Sequence, residues 1–231
     1  LNKDNIFPGD VFVLNAPFNG GTHLPDVTVI TPVFDEAGKE IIFFVASRGH
    51  HADIGGTTPG SGPPDSKHIE EEGVLIDNFK MFDKGVFKEK EMKNILSSGK
   101  YPCRNVDHNM ADLAAQVAAN KTGINEIKSM VDQFGIETVQ AYMNHVQDNA
   151  EECIRKAITN LREGKYEYEL DNGEFIKVTI KINKIKREAT IDFTGTAEKN
   201  PFNYNAPMAV CHAVILYVFR TLVGNNIPLN E

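Results

Sequence analysis

Two short segments pair a histidine with an aspartate three residues later. The first is Gly20-Gly21-Thr22-His23-Leu24-Pro25-Asp26, and the second is Ser47-Arg48-Gly49-His50-His51-Ala52-Asp53-Ile54-Gly55-Gly56. Two or three imidazoles with one or two carboxylates, and no thiolate, form the donor set of a divalent cation with open positions: Mn, Fe, Zn or a Mg-like ion. Such a site polarises a carbonyl and acidifies a bound water, which is hydrolytic chemistry. A metal-free arrangement fits the same residues, with one imidazole as general base near neutral pH and an aspartate orienting it. Residue types leave both open.

The elements between the two segments bring them together. Val27–Phe34 and Ile41–Ser47 are β-branched and aromatic runs, separated by the polar turn 35–40, and read as a β-hairpin. Reflection about a turn centre between Ala37 and Gly38 sets Asp26 opposite Gly49 and His23 opposite Ala52, so both units meet at the hairpin's open end. Other candidates are weaker. The Gly-, Pro- and Ser-rich stretch 55–68 is expected to be a loop, and a mobile lid is a better reading than an anion cradle, because it lacks the Gly-Lys-Ser/Thr ending of a phosphate loop. Glu70-Glu71-Glu72 is expected as a charged surface, with one carboxylate turned inward as the lesser option. Arg104-Asn105 suits either an anionic substrate or a helix cap.

Around the hairpin, Val11–Leu14 reads as a strand. Apolar residues at helical spacing predict helices over Asn109–Asn120 and Glu137–Leu161, which are expected to pack on each other. After Gly164 the period becomes two, and Tyr166–Leu170, Ile176–Ile182 and Ala189–Phe193 predict an antiparallel meander. An apolar helix over Ala206–Val223 closes the pattern. The expected fold is α/β mixed (α+β): an N-terminal β-hairpin region with the candidate site over 1–108, central helices over 109–163, and a meander plus apolar C-terminal helix over 164–231. The chain opens on Leu1 and stops after Pro228-Leu229-Asn230-Glu231, and is expected to be a fragment of a longer protein.

A net charge of −8 with lysines interleaved among acids argues against a nucleic-acid partner, which needs clustered positive charge. Cys103, Cys153 and Cys211 are odd in number and form no Cys-x-x-Cys pair, so ordinary buried thiols fit better than a disulfide framework. No signal peptide is legible, and His212 and Arg220 interrupt the most apolar stretch, so no membrane span is expected and the expected location is the cytoplasm.

The residues of both His-x-x-Asp segments resemble the hydantoinase B/5-oxoprolinase family, together with Pro59-Gly60-Ser61, Glu71-Glu72-Gly73, Asp112-Leu113, Ala115–Asn120, Asp192–Thr196 and Ile227–Asn230. Within it, Val139–Gln147 looks most like the ATP-dependent 5-oxoprolinases. The resemblance implies a B-type half that completes a reaction begun by a hydantoinase A-type ATP-binding domain or subunit, on a small cyclic amide such as 5-oxo-L-proline. It also implies a divalent metal held by His23, Asp26 and His50, with Asp53 and His51 as further ligand or supporting neighbours, and a tendency to form oligomers. His50, His51 and Arg48 are the catalytic candidates, Arg48 holding an anionic group. A further carboxylate ligand upstream of Leu1 belongs to the family pattern, and Ala16 stands where the family more often has a polar residue. N-methylhydantoinase B-type subunits and acetone or acetophenone carboxylases make similar demands on the site. A non-catalytic assembly module is the reading from another class.

Overall fold

A computed structural model describes residues 5–60, 62–224 and Ile227. Helices and two antiparallel sheets make an α+β arrangement. The chain forms two compact units: residues 5–130 with 201–210, and residues 131–200 with 211–224 and Ile227.

The first unit is built on a five-stranded antiparallel sheet of β1 (Val11–Leu14), β2 (Asp26–Phe34), β3 (Ile41–His50), β4 (Phe79–Asp83) and β5 (Val86–Phe87), in the order β3-β2-β1-β4-β5. The hairpin of β2 and β3 is as expected, but its register is not. Phe34 faces Ile41, as reflection about the turn requires, whereas Val33 faces Phe43. A β-bulge therefore takes up Ile42 and slips every later pair by one residue, so that Asp26 stands opposite His50 and Val27 opposite Gly49. Because side chains alternate along a strand, this one-residue slip decides which of them share a face. The short elements α1 (Ile69–Glu72), β4, β5 and α2 (Glu89–Leu96) are below the length at which a period is readable. α2 contributes Met92 and Leu96 to the core.

α3 (Val106–Phe134) runs well past the expected end at Asn120. Its buried residues in this unit are Asn109, Leu113, Gln116 and Asn120, spaced four, three and four apart. This is a helical stripe of amides around one leucine, invisible to a search for apolar periodicity. Leu113, flanked by Met110 and Val117, joins Val13, Val27, Val29, Ile76, Met81 and Met92 in one core. The apolar stripe expected to meet the second helix is thus used against the sheet. Gln116 Nε2 donates to Val27 O and Ser47 O, and Asn120 Nδ2 donates to Val29 O, Thr31 Oγ1 and Val45 O, which fastens α3 across β2 and β3.

The second unit holds α4 (Ile136–Thr159) and the predicted meander, β6 (Gly164–Glu169), β7 (Phe175–Asn183) and β8 (Glu188–Asp192), in the order β6-β7-β8. The apolar helix is α5 (Met208–Thr221), close to its predicted span. Among the described residues no helix is long and apolar enough to cross a membrane. All three cysteines are free, and burial pushes the Cys103 thiol up to about 12.

Candidate functional site

The slipped register sorts the candidate residues by face. Opposite residues of an antiparallel pair project to the same side, so Asp26, Thr28, Arg48 and His50 share one face. Val27 and Val29 project to the other, where they join Leu113 in the core. Consecutive residues alternate, so the two adjacent histidines part company: His50 ends β3 exposed, while His51 is 2 % exposed beneath α3.

His23, Asp26 and His50 converge on the exposed face. His23 Nδ1 lies 2.5 Å from Asp26 Oδ2, and Thr22 Oγ1 donates to the same oxygen at 2.7 Å. The His23 and His50 rings stand 5.3 Å apart, tilted by 51°. Partial burial pushes the Asp26 carboxyl up, but the hydrogen bonds from Thr22 and His23 and the charges of His23 and His50 outweigh it. The net effect holds Asp26 below the usual carboxylate range, so it is ionised at neutral pH. His50 makes no hydrogen bond among the described residues, leaving both its ring nitrogens open. Arg48 is anchored rather than loose: Nε donates to Thr28 Oγ1 at 2.8 Å, and Nη2 to Gly20 O at 3.0 Å.

His51 and Asp53 are drawn into other networks. Asn109 Nδ2 donates to His51 Nδ1 at 3.0 Å, and His51 Nε2 faces Gln116 Oε1 at 3.1 Å. These partners require the neutral ring with its proton on Nε2. Burial pulls the His51 pKa below its ordinary value against the weaker pull of the Gln116 bond, which agrees. Asp53 Oδ1 accepts from Arg104 Nη1 at 2.6 Å, and Oδ2 from the Arg104 backbone N–H at 2.8 Å. Asn105 Oδ1 accepts from His108 N at 3.1 Å, the capping alternative for that pair.

Asn15 was not among the candidates, yet it holds the first His-x-x-Asp segment in place. Fully buried, it donates from Nδ2 to Leu24 O and Val74 O, each at 2.9 Å, and accepts from Ile76 N at 2.7 Å. An asparagine directly after the apolar run Val11–Leu14 was the only available signal. The neighbouring Ala16 is buried and offers no polar group.

As folded, no three His, Cys, Asp or Glu side chains among the described residues are set to ligate one ion. The donor types fit nonetheless: two imidazoles and an ionised carboxylate share one open face, and the nitrogens of His50 are unclaimed. A cavity of about 800 Å³ belongs wholly to the second unit, lined by Ile154, Ile158, Ala213 and Leu216 among others, and contains none of these residues.

The family model described as hydantoinase B/oxoprolinase matches residues 1–231. The 5-oxoprolinase 1 of Arabidopsis thaliana is 46 % identical over 252 residues, covering 99 % of this chain and 20 % of the plant protein. The 5-oxoprolinase of Saccharomyces cerevisiae is 44 % identical over 243 residues, covering 100 % of this chain and 19 % of the yeast protein. The crystal structure of an ATP-dependent caprolactamase from Pseudomonas jessenii has a TM-score of 0.85 at 25 % identity, covering 99 % of this chain and 39 % of that one. The chain thus spans about a fifth of the length of these two 5-oxoprolinases. With the match running over its whole length, the chain belongs to the hydantoinase B/oxoprolinase family.

Proposed function

We propose that this chain is the part of an ATP-dependent cyclic-amide hydrolase, of the 5-oxoprolinase type, that carries the hydrolytic site. The observation that supports it best is the convergence of His23, Asp26 and His50 on one open sheet face, fixed by the Asp26–His50 register. The substrate class follows the names of the relatives, which are 5-oxoprolinases and a caprolactamase. ATP is assigned to a hydantoinase A-type half outside this chain, where the lactam carbonyl is activated.

His23, Asp26 and His50 would hold a divalent ion, Mn, Zn, Fe or Mg. When bound, such an ion supplies Lewis acidity toward a carbonyl and a more acidic water. The chain's own residues do the positioning. Asp26 accepts from His23 Nδ1 and so fixes that ring with Nε2 as the free nitrogen. His50 offers an unclaimed imidazole on the same face, able to take a ligand or a proton. Arg48, locked to Thr28 and Gly20, presents its remaining N–H groups to an anionic part of the substrate, such as a carboxylate. His51 and Asp53 act from behind, tying the end of the hairpin to α3 and to Arg104.

The hydrogen bond between Asp26 and His23 also favours a second reading, in which His23 is a general base oriented by Asp26. Elemental analysis of the full-length protein, purified without chelators, separates the two. The first reading expects one tightly held divalent ion per chain, lost in His23→Ala or His50→Ala and kept in Asp53→Asn, with ATP-dependent lactam opening lost alongside it. Lactam opening by full-length protein free of divalent metal at this site, with only the ATP-bound ion supplied, would favour the base. Full turnover in a folded His23→Ala protein would sink both, leaving the segment an assembly module.

A further inference from the structure

Arg104 is paired with a carboxylate, that of Asp53, whereas Arg48 has no carboxylate partner among the described residues. Its exposed guanidinium is nonetheless fixed at two points, Nε donating to Thr28 Oγ1 at 2.8 Å and Nη2 to Gly20 O at 3.0 Å. Both anchors are themselves held. Thr28 is 6 % exposed in β2, between Val27 and Val29, which are buried in the core. Gly20 belongs to a turn in which Asn19 N and Gly21 N both donate to Ala16 O. A Cβ on Gly21 would lie 2.4 Å from Asn15 O, so this turn is pressed onto the backbone of the buried Asn15.

The strand itself has no need of a hydroxyl at Thr28. Valine has the same shape and suits a strand equally well, and it stands on both sides of Thr28. Thr31, further along β2, has its hydroxyl bonded to Asn120, and Thr28 has its hydroxyl bonded to Arg48. Register puts the Thr28–Arg48 pair two residues along from the Asp26–His50 pair, on the same sheet face and roughly 7 Å away. A guanidinium carries five N–H groups, so three remain beside the two bonds made here. They include donors on both terminal nitrogens, the planar fork that matches a carboxylate.

We infer that Thr28 is a positioning residue that makes this site select cyclic amides carrying a carboxylate, by holding the Arg48 fork ready for that group. The inference rests on the hydrolase reading above and deepens it. A loose arginine gives up rotamer freedom when it grips an anion, which weakens the grip. Here the strand and the turn have ordered the side chain before any substrate arrives. Thr28 touches neither the substrate nor the reacting atoms, and acts through Arg48 alone.

The experiment uses the full-length protein with ATP and two compounds of one ring, 5-oxo-L-proline and its neutral carboxamide. Wild type should prefer the carboxylate by at least about tenfold in kcat/KM, the effect of a hydrogen bond to a charged group. Thr28→Val keeps the shape and removes the hydroxyl. It should raise KM for 5-oxo-L-proline by about tenfold, with kcat within about twofold, and change kcat/KM for the carboxamide by less than about threefold. Thr28→Ser keeps the hydroxyl and should keep the preference. Where the carboxamide is opened too slowly to follow, its inhibition constant against 5-oxo-L-proline takes the place of its KM. Equal losses on the two compounds would mean that Thr28 supports only the fold, or that Arg48 serves a group common to both, such as a phosphoryl group. Either overturns the inference, as does a wild type without the preference or a Thr28→Val protein that retains it. If Thr28→Val fails to fold, Arg48→Lys decides instead: it keeps the charge on an exposed side chain but loses the fork, so the preference must fall. Wild type that opens neither compound overturns the hydrolase reading and this inference together, whereas active wild type with equal losses in the variants overturns this inference alone.

Discussion

Replacing Asn15 by alanine tests whether the His23–Asp26 segment is held by that single amide. The side chain is 0 % exposed and makes three hydrogen bonds, to Leu24 O, Val74 O and Ile76 N–H. At about 1 kcal/mol net for each, their loss costs about 3 kcal/mol. The stranded Ile76 N–H contributes most, because each carbonyl keeps a second lone pair and the amide has no other use for its proton. For a chain of this size, 1 kcal/mol moves the melting midpoint by about 2–4 °C, so the transition reporting the first unit should fall by about 6–12 °C. Hydrogen exchange gives the local reading: the Ile76 amide should lose its protection, while Asn15 N–H, which donates to Ile76 O at 2.9 Å, should largely keep it. Asn15→Asp sharpens the test. It keeps an acceptor for Ile76 but turns a carboxylate oxygen toward two carbonyls, so at neutral pH it should cost at least as much as alanine. It should recover partly in acid, when the carboxyl can donate to one of them. A drop below about 3 °C in Asn15→Ala with Ile76 still protected would refute the reasoning.

Two further outcomes follow from the same packing. Gly56→Ala forces a side chain into the left-handed region at φ +84°, 2.5 Å from the Glu72 carbonyl oxygen, and should cost about 3 kcal/mol in denaturant unfolding. A loss under about 1 kcal/mol would mean the Glu72 turn yields easily. His51 is held neutral by burial, so below its unfolded pKa of about 6.5 the unfolded chain binds a proton that the folded chain refuses. Stability should therefore fall as pH drops from about 6.5, by at most about 1.4 kcal/mol per pH unit, and the slope between about pH 5.5 and 7 should flatten in His51→Gln. A wild-type midpoint that is level over that window would show that His51 does not refuse the proton.

The sequence alone determined the class of fold and the two segments that matter. Strand periods two residues long, helical stripes and turn residues are local, and the hairpin of β2 and β3, the meander and α5 were legible from them. The His-x-x-Asp spacing and the hairpin also sufficed to bring both segments to one end. What the sequence left undecided depended on single-residue geometry and on packing. The bulge at Ile42 is a local defect with no marker in residue type, yet it moved Asp26 from opposite Gly49 to opposite His50. Which of two adjacent histidines faces the site was a matter of strand parity, and only the position of α3 made His51 the buried one. The amides Asn109, Gln116 and Asn120 look like surface residues until a helix lies across the hairpin and the segment after it, whose carbonyls they can reach. Likewise Asn15 gained its role from Val74 and Ile76, 59 and 61 residues away, across contacts that no local pattern encodes. Residue chemistry and short-range periodicity are written along the chain, but register, facing and the partners of buried polar groups exist only once distant segments have packed.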